Sequence, residues 1–233
     1  MTWVKICGMT NLEDALTAVE AGADGVGFVF YEKSPRKITV EAAREIVKEL
    51  PKNIEKIGVF VGETAETVRE ISVKANLTIA QTYPDFSNPL SIPDDRFVER
   101  ASFRVIVALP ASRLLEEESD NPDVIAGFRV SERFRDRIAA VLLDSGTAGR
   151  PGGTGEKFDW QTVVPITDLM GRLGMRLIVA GGLTPGDVGD AMRELTPWGV
   201  DVASGVEVRP GKKDPEKLRA FVQAVRDADR KTG

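Results

Sequence analysis

The chain has 233 residues, 42% hydrophobic and 29% charged, enough for one substantial core in a globular α/β domain. Its formal charge of −5 gives no electrostatic case for nucleic-acid binding, and no window reaches the roughly 18 apolar residues of a membrane helix. One cysteine, Cys7, and no histidine exclude an intramolecular disulfide, a zinc–cysteine cluster and any histidine triad. We expect a cytoplasmic protein whose general acid and base come from carboxylates, cysteine, lysine or tyrosine.

Apolar runs alternate with helical patterns along the first half of the chain. The runs expected to form strands cover residues 4–8, 25–30, 57–61, 77–81 and 103–109. Thr10 or Asn11 is predicted to cap the first helix, Thr39 the second, and residues 63–74 to form the third. Three prolines interrupt 83–93, so the fourth helix is expected to be short or displaced toward 94–100.

The second half continues the alternation after one irregular stretch. Residues 111–137 are long for one crossover, and we expect an irregular surface excursion around 110–137. Strands are predicted at 138–143, 176–180 and 199–203, and helices at 158–173 and 215–229. A further helix is predicted after the strand at 176–180, with Thr184 as its cap and Pro185 at its first position. The strands lack period-2 alternation, as expected when both faces are buried. The pattern predicts one (β/α)8 TIM barrel domain spanning residues 1–233.

The carboxyl ends of such strands face the active site of a barrel. The predicted strand ends place Cys7, Arg36, Gln81 and Asp144 there, and Cys7 with Asp144 is the only obvious pair for proton transfer. A nearby cation or helix N-terminus would be needed to favour the thiolate. Two alternatives stay open, because a lone cysteine is more often a small core residue and an aspartate after a strand often caps a turn.

Glycine-rich loops follow the last three predicted strands. They contain Gly152-Gly153-Thr154-Gly155, Gly181-Gly182 and Ser204-Gly205. Amides at a helix N-terminus bind anions, and the loops after strands seven and eight commonly hold phosphate in barrels. The alternative is that these glycines only form tight turns, but their tandem placement favours a phosphate site.

Five stretches together resemble the phosphoribosylanthranilate isomerases of tryptophan biosynthesis. They occur in order and span nearly the whole chain: KICGMT at 5–10, GFVF at 27–30 with SPR at 34–36, LDS at 143–145 with GGTG at 152–155, AGGL at 180–183, and VASGVE at 202–207.

The resemblance implies an Amadori rearrangement of N-(5-phosphoribosyl)anthranilate to a 1-deoxyribulose phosphate. It implies that Asp144 is the general acid on the ribose ring oxygen and Cys7 the general base that takes the C2′ proton. Arg36 would face the anthranilate carboxylate, and Gln81 would lie in the substrate pocket. Because the acid must be protonated before it acts, we expect a raised pKa for Asp144.

The resemblance also implies how the phosphate is held and what the reaction needs. The expected phosphate ligands are main-chain amides at Gly155, Gly181, Gly182, Ser204 and Gly205. It implies a small-molecule substrate, no cofactor and no metal, and either a monomer or a homodimer.

The sequence departs from the family at the end of strand four. The family usually has Gln-Leu-His-Gly there, whereas this chain has Gln81-Thr82-Tyr83-Pro84. The departure concerns the wall of the anthranilate pocket rather than the catalytic pair. Residues 111–137 are a second departure.

Three alternative functions stay open. A histidine-pathway isomerase performs the same rearrangement but typically has an aspartate at the end of strand one, which Cys7 argues against. An indole-forming barrel typically uses lysine and glutamate, and no matching glutamate motif is evident. A non-catalytic or retargeted sugar-phosphate-binding barrel is supported only by the altered strand-four motif.

Overall fold

A closed barrel of eight parallel strands forms the centre of the protein, in the order β1 to β8. The computed structural model describes residues 1–85, 87–88, 90, 93–101, 103–111, 135–145 and 163–232. The strands are Trp3–Cys7 (β1), Gly25–Val29 (β2), Glu55–Val61 (β3), Ile79–Tyr83 (β4), Arg104–Pro110 (β5), Ile138–Asp144 (β6), Leu177–Val179 (β7) and Gly199–Val202 (β8). The predicted (β/α)8 architecture is confirmed; that residues 1–233 form a single domain stays a prediction.

Helices lie outside the barrel between the strands. Those described are Leu12–Glu20 (α1), Val40–Glu49 (α2), Ala65–Ala75 (α3), Asp95–Ala101 (α4), Val164–Arg172 (α5), Val188–Leu195 (α6) and Pro215–Thr232 (α7). Asn11 and Thr39 cap α1 and α2 by accepting bonds from the amides of Asp14 and Ala42, so both predicted caps are confirmed. The predicted short fourth helix is confirmed as α4.

Strand β4 begins and ends two residues later than predicted. Asn76 ends α3 in the left-handed conformation, and the Leu77 amide donates to the Ser72 carbonyl to finish that helix. The Thr78 hydroxyl accepts from the Lys56 amide, so the β3–β4 pairing starts only at Ile79. The shift brings Tyr83 into the strand, where it is buried against the barrel interior.

The predicted start of the helix after β7 is wrong. The amide and hydroxyl of Thr184 both donate to the Asp187 carboxylate, at 2.7 Å each. These bonds close a turn over residues 184–187, and α6 begins only at Val188. Thr184 therefore belongs to the loop above the barrel and does not cap the helix.

A small hairpin after β8 was not predicted. A 3-10 turn at Ser204–Val206 leads into two antiparallel strands, Glu207–Arg209 (β9) and Lys212–Lys213 (β10). The hairpin carries two buried charged residues, Glu207 and Lys213, to the rim of the barrel. Three predicted features lie outside the described residues: most of the 110–137 excursion, the 152–155 loop and the start of the 158–173 helix.

Two apolar layers stabilise the fold. One fills the inside of the barrel and includes Cys7, Ile57, Ile106, Leu142 and Ile178. The other packs the outer strand faces against the helices. Such burial on both faces explains why the strands read as continuous apolar runs. None of the helices in the described ranges is both long and apolar enough to cross a membrane.

Candidate active site

Cys7 and Asp144 lie at the same end of the barrel. Cys7 is the last residue of β1 and Asp144 the last residue of β6, and the carboxyl ends of parallel barrel strands share one rim. Both residues are buried, with 8% of Cys7 and 4% of Asp144 exposed. The structure thus places the two predicted groups at one rim, and their roles in proton transfer stay predictions.

A buried lysine lies beside Cys7. Lys5 Nζ donates to Asp201 Oδ2 at 2.9 Å across the β1–β8 seam. Burial opposes the charge on Lys5, but Asp201 and the adjacent Cys7 outweigh it, so the pKa of Lys5 is raised. A permanent ammonium group is therefore held next to the thiol.

The surroundings of the thiol act on its ionisation in opposing directions, and burial has the largest effect. Burial raises the pKa of Cys7 above its ordinary value of 9.0, Lys5 opposes this increase, and Asp201 adds to it. Gly27 makes room for the arrangement, because a Cβ there would lie 2.8 Å from Cys7 Sγ and 3.1 Å from Lys5 Cε. Lys5 is thus the neighbour that most favours the thiolate.

A short chain of hydrogen bonds reaches Asp144 from β4. The Tyr83 hydroxyl donates to Asp144 Oδ2 at 2.7 Å, and Gln81 Nε2 makes a longer bond of 3.4 Å to the same hydroxyl. The pKa of Tyr83 is raised well above 10.0 by burial and by the charge of Asp144. The hydroxyl therefore keeps its proton at all working pH values.

Arg36 is held by a carboxylate from the hairpin. Its Nε donates to Glu207 Oε1 at 2.9 Å and its Nη2 to Oε2 at 2.8 Å, while Lys213 Nζ donates to Oε1 at 2.9 Å. Burial opposes the charge on Glu207, but Arg36 and Lys213 prevail and lower its pKa. Nη1 of Arg36 makes no hydrogen bond to any residue that the structure describes. Gly8, in the left-handed region, leaves room for the Arg36 stem.

Glycines bring the loops after β6, β7 and β8 into contact. A Cβ at Gly181 would overlap Ser145, and one at Gly205 would overlap the carbonyl oxygen of Leu183. Gly181 and Gly182 have φ angles of 91° and 66°, which side chains rarely adopt. Neither of their amides donates to a described residue, so both are available to an anion. The predicted phosphate ligand Gly155 lies outside the described residues.

Several charged or polar neighbours of the predicted site residues were missed from the sequence. Asp201, Glu207, Lys213 and Tyr83 each contact a predicted site residue or its neighbour. Asp201 is a charged residue in the middle of an apolar strand, and this feature of the sequence could have identified it as part of the site. Within the described ranges no cluster of three or more Cys, Asp or Glu side chains could hold a metal ion.

Comparison with known proteins places these features in one family. The model of the N-(5'-phosphoribosyl)anthranilate isomerase family matches residues 4–224. An N-(5'-phosphoribosyl)anthranilate isomerase of Trichlorobacter lovleyi is 40% identical over 228 residues, which cover 98% of this chain and 100% of the relative.

Solved structures give the same result. The phosphoribosylanthranilate isomerase of Thermus thermophilus superposes with a TM-score of 0.76 at 34% identity, covering 97% of this chain and 99% of that one. Another such isomerase, in complex with reduced 1-(o-carboxyphenylamino)-1-deoxyribulose 5-phosphate, superposes with a TM-score of 0.72 at 35% identity, covering 97% and 100%.

Proposed function

The chain belongs to the N-(5'-phosphoribosyl)anthranilate isomerase family, and on that premise we propose that it catalyses the Amadori rearrangement of N-(5'-phosphoribosyl)anthranilate. The product is 1-(2-carboxyphenylamino)-1-deoxyribulose 5-phosphate. The observation that carries the proposal is the placement of a thiol and a carboxyl, Cys7 and Asp144, on one barrel rim beside glycine loops with available amides. The reaction takes place in tryptophan biosynthesis.

The phosphate of the substrate binds where the loops after β7 and β8 meet. Gly181 and Gly182 present amides that have no acceptor among the described residues, and Gly205, which follows Ser204 in the chain, packs directly against the first of these loops. Main-chain amides bind phosphate without requiring a cationic side chain. Anchoring the phosphate fixes the ribose relative to both reacting groups, which lowers the entropic part of the barrier.

Asp144 acts first, as the general acid. Its proton goes to the ribose ring oxygen, the bond from that oxygen to C1′ breaks, and the anthranilate nitrogen lone pair forms a C1′=N⁺ Schiff base. Burial of the carboxyl supports this role, because low solvation favours the protonated form that the step requires.

Cys7 then acts as the general base. Its thiolate takes the C2′ proton, and the electron pair of that C–H bond neutralises the Schiff base to give an enolamine. The enolamine tautomerises to the C2′ ketone with a proton at C1′, so no external oxidant or reductant is consumed. Lys5 supports this step because its ammonium stabilises the thiolate.

Arg36 orients the other end of the substrate. Glu207 fixes the guanidinium plane through Nε and Nη2, and Nη1 remains for the anthranilate carboxylate. An arginine held on one edge in this way has little side-chain freedom left to lose when it binds an anion. Gln81 Oε1 is buried with no partner in the described part of the chain and is available to a polar group of the substrate.

The fluorescence of the anthranilate moiety provides the test. Substrate generated in situ should lose its fluorescence at a rate proportional to enzyme concentration, and the keto-sugar product should accumulate in equal amount. An enzyme that binds the reduced product analogue but leaves the fluorescence unchanged would instead identify a non-catalytic or retargeted barrel. A cytoplasmic location and a monomeric or homodimeric state stay predictions from the sequence.

A further inference from the structure

The hydrogen bond between Tyr83 and Asp144 crosses the mouth of the barrel. Tyr83 ends β4 and Asp144 ends β6, so the tyrosine side chain spans the end of the strand between them. Both residues are at least nine-tenths buried. The Tyr83 carbonyl accepts from the Gly62 amide at 2.9 Å, which anchors the tyrosine backbone to the neighbouring loop.

The direction of this bond is fixed from both sides. Gln81 Nε2 can only donate, so the Tyr83 oxygen accepts from it and turns its own proton toward Asp144 Oδ2. The other charged or titratable groups that act on Tyr83 are Asp201 and Cys7, and both oppose ionisation of the phenol. Tyr83 is therefore a permanent donor to Asp144.

We propose that Tyr83 is a positioning residue for the general acid: its hydroxyl holds Asp144 by Oδ2 and stabilises the carboxylate that remains once the proton has been transferred. This inference rests on the proposed function. As the proton leaves, the carboxyl becomes a carboxylate, and a hydrogen bond to an ionised acceptor is about twice as strong as one to a neutral acceptor. Tyr83 thus stabilises Asp144 most after the proton has gone, and so promotes opening of the ribose ring.

The altered strand-four motif supplies this arrangement. Residues 81–84 read Gln-Thr-Tyr-Pro, and the first and third of these point to the same face of the strand. Gln81 and Tyr83 form the hydrogen-bond chain to the acid, whereas Thr82 alternates to the other face. The motif therefore provides two linked groups to the acid as well as part of a pocket wall.

The test removes only the hydroxyl. Tyr83→Phe is expected to lower kcat by about ten- to a hundredfold with little change in KM, because the aromatic ring stays in place and only the hydrogen bond to the acid is lost. Without the donor the carboxylate is less stable, so the pKa of Asp144 rises, and the inflection of the pH–rate profile that Asp144 sets moves to higher pH. Tyr31→Phe, at the other tyrosine in the chain, is the matched control, and in that variant the same inflection should stay at its wild-type pH.

A second readout does not depend on turnover. The carboxyl 13C resonance of Asp144, assigned by its loss in Asp144→Asn, should titrate at higher pH in Tyr83→Phe than in wild type. If the wild type is active but Tyr83→Phe shifts neither the inflection set by Asp144 nor the titration of the Asp144 resonance, this inference is overturned and the proposed function stays intact. A wild type that consumes no substrate would overturn the proposed function, and with it the part of Tyr83 in catalysis.

Discussion

Lys5 and Asp201 form a buried ion pair of 2.9 Å across the seam that closes the barrel, next to Cys7. The two residues are 196 positions apart in the chain and face each other only because β1 pairs with β8. Their charges act on the thiol in opposite directions: Lys5 lowers the pKa of Cys7 and Asp201 raises it. The pair therefore sets how readily the predicted base ionises.

Removing the positive charge of this pair and removing its negative charge should shift the pKa of Cys7 in opposite directions. Lys5→Met should raise the pKa of Cys7, because the thiolate loses its cation, and Asp201→Asn should lower it. Cys7 is the only cysteine, so thiolate ultraviolet absorbance and the pH dependence of alkylation report on it alone. If the pKa of Cys7 shifted in the same direction in both variants, the opposing effects of Lys5 and Asp201 on the thiol would be contradicted. Each change also leaves a buried charge unpaired, at a cost of about 3–5 kcal/mol in folding stability.

The contact between the loops after β7 and β8 depends on the absence of a side chain at Gly205. Gly205→Ala should push the loops apart, because the new Cβ would overlap the Leu183 carbonyl oxygen. We expect KM to rise about tenfold or more, corresponding to at least about 1.4 kcal/mol of lost binding. The control is Gly189→Ala in α6, where the nearest atom is 3.8 Å away. It should leave KM unchanged and stabilise the helix by about 1 kcal/mol.

The ionised Glu207 carboxylate should stabilise the fold, and this contribution should be lost at acid pH. Burial opposes its ionisation, but Arg36 and Lys213 prevail and lower its pKa from 4.5. A carboxylate with a lowered pKa stabilises the fold above its ordinary pKa, and this contribution is lost as pH falls through the folded value.

Glu207→Gln removes that titration. The variant should be less stable at pH 7 by about 3 kcal/mol, because two buried cations lose their counter-charge, and its stability should fall less on acidification. Urea unfolding at a series of pH values measures both effects. Exposed Glu41→Gln is the control and should follow the wild-type profile. An identical acid dependence in wild type and Glu207→Gln would show that the cluster does not stabilise the fold.

Much of the fold could be predicted because each buried strand corresponds to a short, continuous apolar run in the sequence. Apolar runs end at Cys7 and Asp144, and both residues lie at the rim as expected. The start of β4 could not be predicted from the apolar run alone. Leu77 and Thr78 have strand-like side chains, but the first completes the end of α3 and the second bonds to β3.

The site's supporting contacts could not be predicted because they join distant parts of the chain. The bond from Tyr83 to Asp144 and the clamp of Glu207 on Arg36 depend on strand register and on a hairpin with little sequence signal. A pattern read along one strand shows which residues face inward, but not which of them meet. The pairing of charges follows only once the barrel closes.

Single-turnover decay of substrate fluorescence in Cys7→Ser and Asp144→Asn, beside wild type, tests the acid–base pair itself. A serine hydroxyl is too weak a base and an amide cannot donate the acid's proton. We therefore expect a loss of about a hundred- to ten-thousandfold in each variant. Asp227→Asn, an exposed carboxylate on α7, should retain the wild-type rate. Near-wild-type decay in either active-site variant would contradict the assignment of Cys7 as the base and Asp144 as the acid.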